Sequence, residues 1–276
     1  MTTRRACEIA IAAVLITGVL LSPGTAAPIV FEDSGVNAAA IQDTVDNFRA
    51  ALGNPNNGNT PGPLPSGRRE INWDGGGQAT TVSPAPFAGF LNIRGALLTT
   101  PGTDFVQAPP SGLAALFNPT YSSFGTFSDP RLFGPINSTV TFVDFFVPGS
   151  NGTIPATATG FGAVFSDVDT ATGALLTFFS SGGGVLGMFS PSPANDGLSF
   201  FGAIFPGEQI SRVQIVTGNA PFGPSEIGGI DIVAMDDFLY SELNPIPEPT
   251  TLLLFGTTAA GLGLSRWRQR RRKQQP

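Results

Sequence analysis

The sequence predicts an all-β fold, a jelly-roll-like β-sandwich that carries one N-terminal amphipathic helix. Short runs rich in Phe, Val, Ile and Leu alternate with turn residues through the second half of the chain, the pattern of a two-sheet domain. The chain contains 35 Gly and 25 Pro, enough to separate many short strands. Phe accounts for 23 residues, whereas Trp and Tyr account for two each, so we expect Phe burial to build the core.

The N-terminal segment, residues 1–26, has the features of a Sec signal peptide. Two arginines precede the apolar run Ile9–Leu21, and a Pro-Gly break followed by small residues provides a cleavage region. The Sec translocon and signal peptidase are therefore expected partners, with cleavage after Ala26 or Ala27. A retained N-terminal helical anchor is the alternative. The only cysteine, Cys7, would leave with the signal peptide.

Residues 27–67 are predicted to contain one helix and a linker. Apolar residues recur at steps of four, three and four and form a single stripe made of Ile41, Val45, Phe48 and Leu52. Asp33 or Ser34 is the expected N-cap, and Gly53 fits the position that follows the last turn. We expect the stripe to pack on the β-domain, and binding of a partner is the alternative. Residues 54–67, rich in Asn, Pro and Gly, indicate a loop.

The β-sandwich is predicted over residues 68–243. A first strand around Ile71 is expected to end at Asp74-Gly75, and residues 76–135 are expected to be irregular apart from short apolar pieces. Better strands follow, separated by turns, with the predicted bounds Thr139–Val147, Ala158–Asp167, Ala174–Phe179, Val185–Phe189, Leu198–Phe205, Ile210–Val216 and Ile230–Tyr240. This order predicts that the last strand lies inside a sheet.

The composition excludes several classes of function. From Ala27 to Asn244 there are 18 Asp and Glu, six Arg and neither Lys nor His, so the formal charge is about −12. Such a surface disfavours binding to nucleic acid or to anionic lipid. Without His, Lys or a mature Cys the chain cannot form a Ser-His-Asp triad, a Schiff base or a thiol nucleophile. Carboxylate-pair hydrolysis and calcium binding through oxygen ligands remain open.

Two acidic sets are candidate sites for a structural Ca²⁺, although no cofactor is required by the composition. Asp167 and Asp169 stand on alternate residues ahead of a Thr and Gly turn, and the alternative is an ordinary acidic hairpin turn. Asp231, Asp236 and Asp237 form the second set. Because neighbouring strand residues point to opposite faces, either Asp236 or Asp237 must approach the interior. An Arg partner or a metal would compensate its charge.

Trp73 and Asp74 form a candidate carbohydrate-binding site, with Arg68 close in sequence. The flat apolar face of an indole can stack on a pyranose ring, and Asp and Arg side chains can bond to sugar hydroxyls. The plainer interpretation, which we favour, is that Trp73 anchors the core. In that interpretation Arg69 and Glu70 form a surface ion pair.

The C-terminal segment, residues 244–276, combines a proline-rich break, an apolar run and a basic end. Pro247, Glu248 and Pro249 precede the uncharged run Thr251–Leu264. A basic cluster then ends the chain, with Arg266, Arg268, Arg270, Arg271, Arg272 and Lys273. As a transmembrane helix the run would cover roughly 21 Å of a bilayer core about 30 Å thick. The basic cluster predicts a cytoplasmic C-terminus. An ordinary membrane anchor is the alternative.

This combination resembles the PEP-CTERM sorting signal of bacteria that make exopolysaccharide. The resemblance implies recognition by an exosortase, a membrane-embedded transpeptidase-like enzyme that removes the tail. It also implies an inner-membrane-anchored precursor that is delivered to the cell surface or beyond, in association with exopolysaccharide or biofilm matrix. The tail carries this resemblance and says nothing about the rest of the chain.

The segment that runs from Gly160–Phe165 to Phe238–Tyr240 resembles the β-sandwich ectodomains found ahead of such tails. It is also loosely similar to jelly-roll carbohydrate-binding modules. We therefore predict an exported, non-enzymatic protein that binds polysaccharide or itself. A carboxylate-based glycan hydrolase or lyase and a purely structural surface subunit are the rival interpretations.

Overall fold

A computed structural model describes residues 26–246 apart from 208 and 226. The described chain contains fifteen strands, three α-helices and two short 3₁₀ helices, Asp74–Gly76 and Pro119–Ser123. The strands are β1 Ile29–Gly35, β2 Arg68–Ile71, β3 Thr81–Pro84, β4 Ala96–Thr99, β5 Asp104–Ala108, β6 Leu132–Ile136, β7 Val140–Phe145, β8 Ala156–Thr157, β9 Gly160–Val168, β10 Ala174–Ser180, β11 Val185–Phe189, β12 Ala194–Ile204, β13 Ile210–Thr217, β14 Ala234–Ser241 and β15 Asn244–Pro245. The helices are α1 Ala38–Leu52, α2 Leu91–Arg94 and α3 Pro110–Leu116.

Two antiparallel sheets carry the fold, so the prediction of an all-β sandwich is confirmed at that level. The larger sheet runs β1-β12-β9-β14-β6-β5-β3, and the smaller runs β11-β10-β13-β7-β4. Strand β2 also pairs with β14, which has β9 along its other edge. The last long strand therefore lies inside a sheet, as the sequence predicted. A two-stranded piece, β8 with β15, stands beside the sandwich.

The main core is a Phe-rich cluster between the sheets. Side chains of strand β9 alternate between the two faces of the larger sheet. Phe161 and Phe165 enter this core, while Val164 points to the opposite face. Trp73 lies in the core, with its ring stacked on Phe133 at 3.8 Å between centroids. A smaller cluster lies beneath α3 and the loops that follow it.

Helix α1 covers the outer face of the larger sheet. Its buried residues are the predicted stripe of Ile41, Val45, Phe48 and Leu52. Phe48 packs edge-on against Phe31 and Phe200 at 5.3 and 5.4 Å between ring centroids. The alternative of a free, partner-binding stripe is thus wrong. The helix also explains why β9 is buried along its whole length, since both faces of that strand are covered.

The predicted N-cap of α1 is wrong. Asn37 caps the helix by accepting a hydrogen bond from the Ala40 amide, and Gly53 follows the last turn with φ of 116°. Asp33 and Ser34 belong to strand β1, which pairs with β12 and which the sequence analysis did not predict. Asp33 instead accepts a hydrogen bond from the Thr44 hydroxyl at 2.7 Å, which ties the helix to the strand.

Residues 76–135 are more regular than expected. Strands β3, β4, β5 and β6 lie there, and three of them extend or edge the larger sheet. Strands β3 and β6 were missed because each is short and contains a proline, Pro84 or Pro135, which disfavours a strand assignment. Pairing with β5 on either side overrides that local preference.

Candidate functional sites

A groove of about 480 Å³ lies over the smaller sheet. The register of three strands places Phe179, Arg212 and Asp144 side by side in one row across β10, β13 and β7. Their neighbours in sequence, including Val143 and Val213, face the core instead. Phe142 and Ser211 complete the polar and aromatic floor of the groove.

Arg212 and Asp144 form the charged centre of this groove. The guanidinium donates to both carboxylate oxygens, at 2.7 and 3.0 Å, and also lies over the Phe142 ring. Half of the Arg212 side chain stays exposed, so the pair is open to solvent. Such a groove offers apolar ring surface beside fixed donors and acceptors, which suits a polyhydroxylated ligand such as a sugar.

The C-terminal tail leaves the sandwich at the rim of the same groove. Ile246 lines the groove, and its amide donates to the Pro155 carbonyl at 3.1 Å. Within residues 26–246, no helix has the length and apolar character needed to cross a membrane. The predicted signal peptide and transmembrane helix, and the sorting and topology residues, lie outside the described residues; these are Pro247, Glu248, Pro249, Arg266, Arg268, Arg270, Arg271, Arg272 and Lys273.

The candidate sugar site at Trp73 and Asp74 is not an exposed platform. Trp73 is 1% exposed, and its ring nitrogen donates to the Asp236 carbonyl at 2.8 Å. Asp74 accepts a hydrogen bond from the Arg131 amide, and partial burial raises the pKa of its carboxyl. Both residues therefore anchor structure, as in the plainer interpretation of Trp73.

The expected surface pair of Arg69 and Glu70 is wrong. Arg69 is fully buried and forms a two-bond ion pair with Glu242 at 2.8 and 2.9 Å. It also donates to the carbonyls of Gly58 and Thr60, which holds the Pro-rich loop against the sandwich. Glu70 pairs instead with the partly buried Arg49 of α1 and Arg68 of β2. Sequence gave no signal for this pair, because its members are 173 residues apart.

Asp236 and Asp237 do not point to opposite faces. The pairing of β14 with β9 shifts register between Met235 and Phe238, and this bulge brings both carboxylates to Ser128. Asp236 also accepts from the Phe127 amide, and Asp237 pairs with Arg49 at 3.4 Å. Of the two compensating groups that were expected, an Arg partner is present for Asp237, whereas amide and hydroxyl donors contact Asp236.

The Asp236 and Asp237 carboxyls are closed to solvent and titrate abnormally. Their exposures are 0% and 2%. Burial, and then its charged neighbour, holds the pKa of Asp236 well above its usual range. Burial likewise raises the pKa of Asp237 to about 6, against the opposing pull of Ser128 and Arg49. The pair is a buried structural network around Ser128.

The structure separates Asp231 from that set and places it against the loop that contains Asp167 and Asp169. Asp167 and Asp231 are each 3% exposed, whereas Asp169 is exposed. Burial, and then the charges of Asp169 and Asp167, raises the pKa of Asp231 to about 6. Asp167 accepts a hydrogen bond from the Asp196 amide at 2.6 Å. Among the described residues, no group of three or more His, Cys, Asp or Glu side chains is placed so that it could hold a metal ion.

Of the comparisons with known proteins, the one with family models identifies a motif, and that motif lies in the C-terminal tail. No curated protein matches the chain. The K2 cleaved adhesin domain of Lys-gingipain is 14% identical over 63% of this chain and 89% of that one, with a TM-score of 0.23. The family model of the PEP-CTERM protein-sorting motif matches residues 245–271. The carboxyl-terminal tail of this protein is a PEP-CTERM sorting motif, which implies an exosortase as its processing partner.

Proposed function

We propose that this protein is exported through the Sec translocon, freed of its signal peptide and held in the inner membrane by its tail. The exosortase removes the tail, and the sandwich is delivered to the cell surface in association with exopolysaccharide or biofilm matrix. The observation that carries this proposal is the sorting motif at residues 245–271, which begins within β15 and shortly after β14, the last long strand.

The geometry around β15 suits removal of the tail. Strand β15 pairs with β8, and Ile246 makes the last described main-chain hydrogen bond. Every described strand is complete before Pro247, so cleavage at or after Pro247 leaves the described sheets untouched. The strand pairings of the two main sheets all lie within residues 26–246.

The role assigned to the ectodomain is that of a non-enzymatic, jelly-roll-like binding module. The groove over the smaller sheet would take a neutral glycan, since the strong negative charge of the mature chain repels anionic polymers. Phe142 and Phe179 supply apolar ring surface, while Arg212, Asp144 and Ser211 supply donors and acceptors for sugar hydroxyls. The groove opens beside the tail, so a bound polymer would lie close to the processed end.

The carboxylates support binding rather than hydrolysis. A glycosidase needs two carboxyl groups about 5 to 9 Å apart on either side of the substrate. Asp144 is the one acidic residue among those that line the described groove, and it is already paired with Arg212. The buried Asp236 and Asp237 offer no route for a substrate.

Mass spectrometry of the protein secreted by its own host tests the sorting proposal. The expected product begins near residue 27 and lacks the terminal arginines. In a strain without the exosortase, the full tail should persist and the protein should stay with the membrane. Secreted protein that still ends in its arginine cluster contradicts the proposal.

A glycan array tests the groove separately, with the secreted protein as the probe. Arg212→Ala and Phe179→Ala should lower binding about tenfold each, because each removes one contact worth on the order of 1–2 kcal/mol. Asp43→Asn, on the exposed face of α1, is the control and should bind as wild type. Binding that is unaffected by both groove variants rules this groove out, and no binding to any glycan favours a purely structural subunit.

A further inference from the structure

Asp231 is a buried carboxylate without a satisfactory partner. It is 3% exposed, and neither of its carboxylate oxygens accepts a hydrogen bond of good geometry. Its main chain is fixed, because Asp231 and Asn219 exchange hydrogen bonds at 2.9 and 3.0 Å. An ionised carboxylate in such a position is costly, so this arrangement requires a compensating charge or a proton.

The carboxylate is aimed into the turn between β9 and β10. The amides of Asp169 and Thr170 face it, and a side chain at Gly173 would collide with one of its oxygens. The same turn brings the carboxyls of Asp167 and Asp169 close enough to raise the pKa of Asp231. Asp196, at the start of β12, adds a further negative charge beside Asp169.

No basic side chain neutralises this turn. The ion pairs of the described residues use Arg49, Arg68, Arg69 and Arg212, and none of them includes Asp231 or Asp169. The chain from Ala27 to Asn244 has no Lys or His to take that role. The remaining source of positive charge is a cation from solution.

We propose that Asp231 and Asp169 bind a divalent cation, Ca²⁺, at the turn between β9 and β10. Because Asp169 is exposed, its carboxylate is free to turn toward Asp231 and complete a pair of charged ligands. Main-chain carbonyls of the turn and water would supply the other oxygens, which Ca²⁺ accepts in irregular arrangements. Mg²⁺ demands a stricter octahedron and fits such a turn less well. This proposal does not depend on the glycan role of the groove.

The test measures thermal unfolding of the secreted protein after treatment with EDTA and removal of the chelator. Adding about 1 mM CaCl2, in the range where extracellular modules bind calcium, should raise the midpoint by roughly 1–5 °C. MgCl2 at the same concentration should have a smaller effect, and NaCl of equal ionic strength should have none. The exposed-site variant Asp43→Asn should respond to calcium as wild type does.

Asp231→Asn should abolish the calcium-dependent rise while keeping the shape of the side chain. Asp169→Asn should do the same, and because Asp169 is exposed this variant is expected to fold even where Asp231→Asn does not. No calcium-dependent rise in the wild-type protein overturns the proposal, since Asp231 then carries a proton instead of a metal. An equal rise in wild type and in Asp169→Asn also overturns it.

Discussion

At the scale of single residues, the buried ion pair of Arg69 and Glu242 joins a loop, a strand and the C-terminal end of the sandwich. Asn57 and the Leu64 amide also donate to Glu242, so one carboxylate holds several points of the loop. Removing one member of a buried pair leaves the other charge without compensation. The pair fixes the position of residues that have no regular secondary structure.

Arg69→Ala should lower the free energy of unfolding by about 3–5 kcal/mol. The loss combines an uncompensated Glu242 with carbonyls of Gly58 and Thr60 that lose their donor. Urea denaturation measures it, with Arg212→Ala as the control, because that half-exposed pair contributes about 1 kcal/mol or less. A similar, small loss in both variants would show that burial adds nothing to the Arg69 pair.

The raised pKa values of Asp236 and Asp237 predict that the stability of the protein depends on pH. Their pKa values are raised in the folded protein, so the folded state holds protons that the unfolded chain releases above its ordinary value of 3.8. The free energy of unfolding should therefore fall as the pH rises from about 4 through about 7. This loss of stability is absent when the pH is below the ordinary pKa of 3.8, and it is complete once the pH exceeds the raised pKa values of the folded protein.

Asp236→Asn should flatten this pH dependence, because it removes one of the two coupled carboxyls. Relative to wild type, the variant should gain about 1–3 kcal/mol of unfolding free energy between pH 4 and pH 7.5. Urea denaturation across this pH range is the measurement, with Asp43→Asn as a control for the change in total charge. Parallel curves for wild type and Asp236→Asn would contradict the expectation.

At the scale of elements, α1 is held to the sheet by its buried apolar stripe, in which the Phe48 ring packs on two glycines. A side-chain carbon at Gly202 would lie 2.8–2.9 Å from the Phe48 ring, and one at Gly162 would lie 2.7 Å from it. These glycines on β12 and β9 leave the space that the ring fills. The positions of these two glycines therefore determine where the helix packs on the sheet.

Phe48→Ala should cost about 3–5 kcal/mol of unfolding free energy, the usual result of emptying a buried aromatic site. Gly202→Ala should also destabilise, since the added carbon meets the ring and the ring is enclosed by Phe31 and Phe200. Chemical denaturation checks both, and Val36→Ala, at 83% exposure, should stay within about 0.5 kcal/mol. Wild-type stability in Gly202→Ala would show that the ring can move aside.

At the scale of the whole molecule, the last long strand, β14, lies in the middle of the larger sheet. Strand β14 pairs with β9 on one edge and with β2 and β6 on the other, so strands from widely separated parts of the described chain meet there. The sorting motif begins after this strand, at Pro245 within β15. The sandwich is complete before the segment that is removed.

Truncation on either side of β14 should therefore have opposite effects. A chain that ends at Ile246 should unfold cooperatively, with a midpoint within about 2 °C of the secreted protein, because no described sheet contact is lost. A chain that ends at Gly229 should show no cooperative transition, because the larger sheet loses its central strand. Thermal unfolding by circular dichroism distinguishes them, and a stable fold in the shorter chain would contradict the central role of β14.

The sequence by itself determined the features that are local or linear. The sorting tail is a short motif recognised as a string, and the buried stripe of α1 follows from a period of 3.6 residues, so both were predicted correctly. Tertiary structure decided the environments of the charged side chains. The bulge in β14 brought Asp236 and Asp237 to one serine, Arg69 found Glu242 across the molecule, and Asp231 met the turn at Asp169. Those outcomes depend on which strands become neighbours and in what register, and that information is shared between distant segments rather than written in any one of them.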